Sequence, residues 1–230
     1  REMLERECPK LVEETEGLAR GADLDPEVTL GFRFFNEVRD HMDEGCSVIF
    51  LADSDVGPLL ARNCDLDPNF DPDIQLCRIC RPEEGAATLT TTYLGMASGV
   101  GVNDYGFAMG SASSHTRERY GDHGLPGQVL VFLLLDECKN LEEARQLLSK
   151  HPFLGKPANV IAGDTSGSST LFEMAPGRTS IPVDRPHALG WQVCTNFFIS
   201  GGIPIDPEPE YLQSAYARYG RMVHVLARGQ

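Results

Sequence analysis

Gly45-Cys46 opens the apolar run Cys46-Ser47-Val48-Ile49-Phe50-Leu51. A dense turn follows, Asp53-Ser54-Asp55-Val56-Gly57-Pro58, before Leu59-Leu60-Ala61-Arg62-Asn63-Cys64-Asp65 resumes an extended pattern. This strand, turn and strand constrain the fold more than any other stretch. Two antiparallel neighbours return the end of the second beside the start of the first, so Arg62 and Asp65 flank Cys46. A cysteine in such a run is ordinarily a small packing residue. A guanidinium and a carboxylate beside its thiol make an activating environment instead, and Cys46 is read as a candidate nucleophile.

A thiol nucleophile needs a base, and the six histidines (His41, His115, His123, His151, His187, His224) sit in no telling motif. Gly45 suggests another route. If the Gly45–Cys46 bond is cut, Cys46 becomes a chain start whose own α-amine can take the thiol proton. A free α-amine titrates at about 7.7–8.0 and a thiol near about 8.5, so the two groups are matched. Before the cut the nitrogen is an amide without basicity, which makes the uncut chain a zymogen. The expected route is an N-to-S acyl shift onto Cys46, with glycine leaving the attacked carbonyl unencumbered, and then hydrolysis of the thioester.

Composition is compatible. At 230 residues the chain suits one large domain with a substantial core. A net charge of −14 opposes binding to nucleic-acid backbones and to anionic membranes. It also weighs against a highly anionic cosubstrate such as coenzyme A, unless a local basic pocket receives it. The longest apolar run, Val129-Leu130-Val131-Phe132-Leu133-Leu134-Leu135, falls far short of the ~20 residues of a membrane span. No secretory signal opens the sequence, and seven cysteines cannot all pair internally, so the expectation is a reducing, cytoplasmic setting. Cys77-Arg78-Ile79-Cys80 lies in a strand-like run without a second CxxC; residues three apart on a strand face opposite ways, so strand packing is preferred to a metal or redox site. Gly95-Met96-Ala97-Ser98-Gly99-Val100-Gly101 lacks the ending of a phosphate loop, and Gly110-Ser111-Ala112-Ser113-Ser114 lacks the closing glycine of a serine elbow. No metal or cofactor is expected.

Leu4, Cys8, Leu11, Val12, Thr15 and Leu18 recur at helical spacing up to Gly21. A second helix is expected from Asp25-Pro26 towards His41. Strands and turns run from Cys46 to about Ser111, with a corner at Asn103-Asp104-Tyr105-Gly106. A surface loop is expected over Ser113–Gly127 and helix from about Gln128 to Lys150, with Asn140 and Glu143 as a capping box. Strands return at Asn159–Asp164, Ser169–Ala175 and Trp191–Asn196, and Asp206-Pro207 opens a last helix carrying Leu212, Tyr216, Tyr219, Met222, Val223 and Leu226. Blocks of strands separated by helices read as α+β layering.

Several segments in order resemble one family. They are Val12–Ala22, Gly45-Cys46, Arg62-Asn63-Cys64-Asp65, Gly101–Ala108, Asn140–Ala144, Ala162–Gly167, Cys194-Thr195-Asn196-Phe197-Phe198 and Ser214–Tyr219. Together they are similar to the N-terminal nucleophile (Ntn) hydrolases, in the branch of acyl-coenzyme A:6-aminopenicillanic acid acyltransferase, with choloylglycine hydrolase and penicillin V acylase more distant. The resemblance implies a four-layer αββα sandwich of two antiparallel sheets flanked by helices. Residues 1–45 become a helical pro-segment and 46–230 the catalytic part of one structural domain. It implies that Asn196 donates its side-chain amide to the oxyanion and that Arg218 is an active-site arginine. With Cys46, Arg62 and Asp65 these form the candidate catalytic set. Many members carry histidine where Phe197 stands. The chain also starts at Arg1 and stops at Gln230, early for such a family, and reads as trimmed or shortened. The implied activity is a self-processing amidohydrolase or acyltransferase for a small-molecule amide or acyl substrate, coenzyme A thioesters included. The alternative is a non-catalytic, uncleaved scaffold or ligand-binding protein of the same fold.

Overall fold

Alternation along β1 (Gly45–Leu51) sends Cys46, Val48 and Phe50 into the interior, and two neighbours complete its ladder. The computed structural model describes residues 1–35, 45–65, 72–97, 99–118, 123–205 and 209–229. In it β1 lies between β2 (Leu59–Asp65) and β12 (Trp191–Cys194) in a three-stranded antiparallel sheet. The β1–β2 hairpin has the expected return: Gly45 faces Asp65, Cys46 faces Cys64 and Val48 faces Arg62.

The second sheet has seven antiparallel strands. Along one edge run β3 (Gln75–Cys80), β4 (Thr88–Tyr93) and β5 (Val100–Asn103), followed by β6 (Ala108–Ser113), β9 (Ala158–Gly163), β10 (Ser169–Met174) and β11 (Ile181–Val183). A short parallel pair, β7 (Leu125–Pro126) with β8 (Phe153–Leu154), lies outside both sheets. The two sheets stack face to face through β1, β6 and β9. Glycine sets their approach: a Cβ on Gly163 would lie 2.3 Å from the Phe50 ring, and one on Gly110 2.8 Å from Val48 Cγ1.

Helices cover both outer faces. On the large sheet lie α4 (Gly127–Glu137) and α5 (Leu141–Lys150), with the N-terminal helices α1 (Glu2–Glu7), α2 (Pro9–Ala22) and α3 (Pro26–Arg33) joining the same apolar core. Helix α4 buries Val129, Leu130, Leu133, Leu134 and Leu135, as expected of a helix apolar on most sides. Across the small sheet lies α6 (Pro209–Arg228). The result is the expected αββα sandwich. No helix among the described residues is long and apolar enough to cross a membrane.

Local chemistry explains the differences in boundaries. The first expected helix is two, because Pro9 cannot continue α1 but fits the first turn of α2. Leu18 is exposed and Ala19 buried in its place. The stop falls not at Gly21 but at Asp23, in the left-handed conformation with φ 55°. Asp25 caps α3 through Glu27 N (2.8 Å) and Val28 N (3.1 Å), while the expected extension to His41 runs outside the described residues. The stretch from Gln128 to Lys150 divides at Cys138–Asn140, where Asn140 accepts from Glu143 N at 3.0 Å to start α5. The expected opening of the last helix at Asp206-Pro207 also lies outside the described residues.

Candidate active site

The ladder between β1 and β12 stops short of Cys46. Pairing runs from Leu51 opposite Trp191 to Val48 opposite Cys194, and the same register carried on would set Asn196 opposite Cys46. There side chains take over from backbone. Asn196 Oδ1 accepts from Cys46 N at 2.8 Å, and Arg218 Nη1 donates to the Cys46 carbonyl. Arg218 reaches from α6 and also donates to Asn196 Oδ1 (Nη2, 2.8 Å) and to Ser47 Oγ (Nη1, 2.9 Å).

The orientation of the Asn196 amide follows from its partners. Cys46 N–H and the guanidinium can only donate, and Ser113 O, 2.9 Å from Asn196 Nδ2, can only accept. The uncut chain therefore presents the amide oxygen to Cys46, while the nitrogen, expected on an oxyanion, is held by Ser113. Asn196 is fully buried. Its backbone is pinned on both sides by buried Asn159, whose Nδ2 donates to Thr195 O (2.8 Å) and Phe197 O (2.7 Å), and Thr195 Oγ1 donates to Ala215 O of α6 at 3.0 Å.

On the β2 side, Arg62 Nη2 lies 3.4 Å from Cys46 Sγ while its Nε donates to Ser111 O at 2.7 Å. Burial pulls the Arg62 guanidinium down, but Cys46, Cys64 and Tyr93 outweigh it and hold the group above its ordinary value. Its Nη2 is directed at sulfur, and it forms no ion pair with a carboxylate among the described residues. By contrast, burial pushes the Cys8 thiol up to about 11 and the Cys138 thiol up to about 12, the behaviour of inert core cysteines.

Asp65 stands at the exposed end of β2, opposite Gly45. A Cβ on Gly45 would lie 2.6 Å from Asp65 Oδ2, so glycine lets the carboxylate lie over the residue whose carbonyl Cys46 would attack. Asn63 Nδ2 donates to the other carboxylate oxygen.

Cys46 and Arg62 line a cavity of about 190 Å³ between the sheets and α4, bounded also by Ser113, Phe153, Lys156 and Met174. No acidic side chain is among its described lining residues. The structure thus gathers Arg62, Asn196 and Arg218 around Cys46, with Asp65 over the preceding residue. Ser113, Asn159 and Lys156 were not expected. A signal for Asn159 existed, since it is a polar residue heading the apolar strand Val160-Ile161-Ala162. Phe197 packs under α6, edge-on to Tyr216 and Tyr219 at centroid distances of 4.4 and 5.3 Å, and does not line the cavity. Cys77 and Cys80 lie on β3 without a disulfide.

A family model described as acyl-coenzyme A:6-aminopenicillanic acid acyl-transferase matches residues 52–230, a segment that begins after Gly45 and Cys46. No curated protein matches the chain. Among solved structures, the penicillin V acylase from Agrobacterium tumefaciens is similar at 15% identity and a TM-score of 0.38, over 65% of this chain and 44% of that one. The match thus spans less than half the length of that acylase.

Proposed function

The chain belongs to the acyl-coenzyme A:6-aminopenicillanic acid acyl-transferase family, and on that premise we propose that it is a self-processing cysteine amidohydrolase or acyltransferase acting through an acyl-Cys46 intermediate. The observation that carries this reading is the pair of contacts on one residue: Arg62 Nη2 at 3.4 Å from Cys46 Sγ and Asn196 Oδ1 at 2.8 Å from Cys46 N. One addresses the nucleophile, the other the atom that becomes its base.

Processing begins when Cys46 Sγ attacks the Gly45 carbonyl carbon. The peptide C–N bond breaks as a thioester forms, and the nitrogen takes up the proton. Water then hydrolyses the thioester, leaving a carboxylate on Gly45 and a free thiol and α-amine on Cys46. In turnover the amine takes the thiol proton and the thiolate adds to the substrate carbonyl. The proton then goes to the departing amine, and water or an acceptor amine releases the acyl group. Arg62 stabilises the thiolate. Asp65, freed of Gly45, faces the new amine and orients it. The oxyanion role expected of Asn196 asks its Nδ2 to exchange Ser113 for the substrate oxygen.

The cavity suits an acyl group against Phe153 and Met174, with an anionic portion towards Lys156. In a chain of net charge −14, two cations and no acid among the described lining residues favour an anionic portion on the acyl substrate.

Intact-mass spectrometry of the purified chain and of Cys46→Ala tests the proposal. Two fragments meeting at Gly45–Cys46 are expected from the first and one chain from the second. A Cys46→Ala chain that still splits at that bond would assign the cut to another protease. Against a panel of amides and thioesters, Lys156→Gln should raise KM for the anionic members with kcat unchanged. An equal rise for neutral members would remove Lys156 from recognition.

A further inference from the structure

Cys64 faces Cys46 directly across the β1–β2 ladder, with the two Sγ atoms 3.8 Å apart. The kind of pair they form can be read from the backbone. The N–H and C=O of Cys46 are taken by Asn196 and Arg218, on the side of β1 away from β2. Cys46 and Cys64 are therefore a non-hydrogen-bonded cross-strand pair, the arrangement in which Cα atoms lie about 4.5 Å apart and side chains are closest. That separation falls within the range a disulfide spans, roughly 4.4–6.8 Å, so side-chain rotation can join the sulfurs without moving a strand.

The electrostatics favour the same pair. Arg62 contacts Cys46 Sγ and interacts with the Cys64 thiol as well, so one buried guanidinium supports negative charge on either sulfur. Tyr93 OH lies 3.8 Å from Cys64 Sγ. Cys194, the third thiol of this small core, is fully buried, and burial pushes its thiol up. Cys46 lines the cavity, which gives a small oxidant a way to it.

We propose that Cys64 is a resolving cysteine that captures oxidised Cys46 in a reversible disulfide, a reading that rests on Cys46 being the nucleophile. The oxidant is a peroxide. The Cys46 thiolate attacks one peroxide oxygen, the O–O bond breaks, and hydroxide leaves as Cys46 becomes a sulfenic acid. Cys64 sulfur then attacks the sulfenic sulfur, the S–O bond breaks, and the oxygen leaves as water with the Cys64 proton. With hydrogen peroxide, one molecule is reduced to two of water as the two thiols give up two electrons. The disulfide silences the nucleophile and shields it from the irreversible sulfinic and sulfonic states. A dithiol restores both cysteines.

The test treats the purified chain, Cys64→Ser and Cys64→Ala with hydrogen peroxide, followed by denaturing alkylation and peptide mapping before and after dithiothreitol. The wild-type chain should lose two alkylatable thiols, yield a linked Cys46–Cys64 peptide, and regain both thiols and amide turnover on reduction. Both variants, active before treatment, should carry Cys46 on to the sulfinic or sulfonic state and stay inactive. Wild-type Cys46 reaching the sulfinic state while Cys64 remains alkylatable would overturn the proposal. So would a Cys64→Ala variant that recovers as fully as wild type. Failure of the underlying reading looks different: the linked peptide forms, yet turnover of an amide substrate does not fall.

Discussion

Replacing Asn196 by leucine removes the group that joins Cys46, Arg218 and Ser113, and the cost can be worked from the contacts. Leucine fills a similar volume but leaves Cys46 N–H, one Arg218 N–H and Ser113 O without their partner at a fully buried position. Arg218 keeps Ser47 and is half-buried, so it can turn towards water. Ser113 is half-buried as well and lines the cavity, so the penalty that remains in full is that of the Cys46 N–H, at about 1–3 kcal/mol. Against a total stability of about 5–15 kcal/mol this is a large fraction. With a urea slope of about 3 kcal/mol/M, the upper end for small proteins, the unfolding midpoint should fall by about 0.3–1 M. The comparison belongs in a Cys46→Ala background, which retains the N–H at position 46 and keeps the chain in one piece. Trp191, the one tryptophan, sits on β12 and reports the transition by fluorescence. A shift below about 0.3 M, worth roughly 1 kcal/mol, would mean that the network does not form in solution and that Asn196 does not hold Cys46.

Two further substitutions separate the roles assigned to charge. Arg62→Met should slow iodoacetamide alkylation of Cys46 at neutral pH by tenfold or more, since a unit charge at 3.4 Å is worth up to about 5 kcal/mol at an effective dielectric constant near ~20 and about 1.4 kcal/mol is already tenfold; Arg62→Lys should recover part of the rate, and equal rates for all three chains would show that the guanidinium does not govern the thiol. Asp65→Asn should lower turnover by about 10²-fold or more with the urea midpoint unchanged, because Asp65 is exposed and its proposed task is to orient the base; normal turnover with normal processing would pass that task to another group.

The hairpin that carries Cys46, Arg62 and Asp65 was legible because its information is local. Period-two burial, a turn and a matching second strand fix the register without reference to the rest of the chain. The helix breaks were legible in principle too, since Pro9 and Asn140 are local signals that the apolar periodicity overran. What the sequence did not disclose is non-local. Asn196 reaches Cys46 from 150 residues away, and which end of its amide meets Cys46 N depends on Ser113, a residue of the other sheet. Strands as short as β7, β8 and β11 hold too few residues for alternation to be visible. The facing of Cys46 and Cys64 follows from the hairpin register, but the 3.8 Å between their sulfurs depends on how the sheets pack.

The early end of the β1–β12 ladder gives the proposed zymogen its logic. Had β12 continued through Asn196, a backbone carbonyl would hold Cys46 N–H in the sheet, and freeing that nitrogen would break a ladder bond and leave a buried acceptor unpaired. A side-chain oxygen takes that place instead, and the same contact can serve an amide before the cut and an amine after it. Arg218 Nη2 donates to the same oxygen at 2.8 Å, which sets a permanent positive charge close to the new amine. A neighbouring like charge disfavours the ammonium form and keeps more of the amine available as a base, while Asp65 acts in the opposite sense from the β2 side. In the proposed mechanism Asn196, Arg218 and Asp65 together hold the nitrogen in place and balance its charge. Arg62, on the sulfur side, leaves the proton little reason to return.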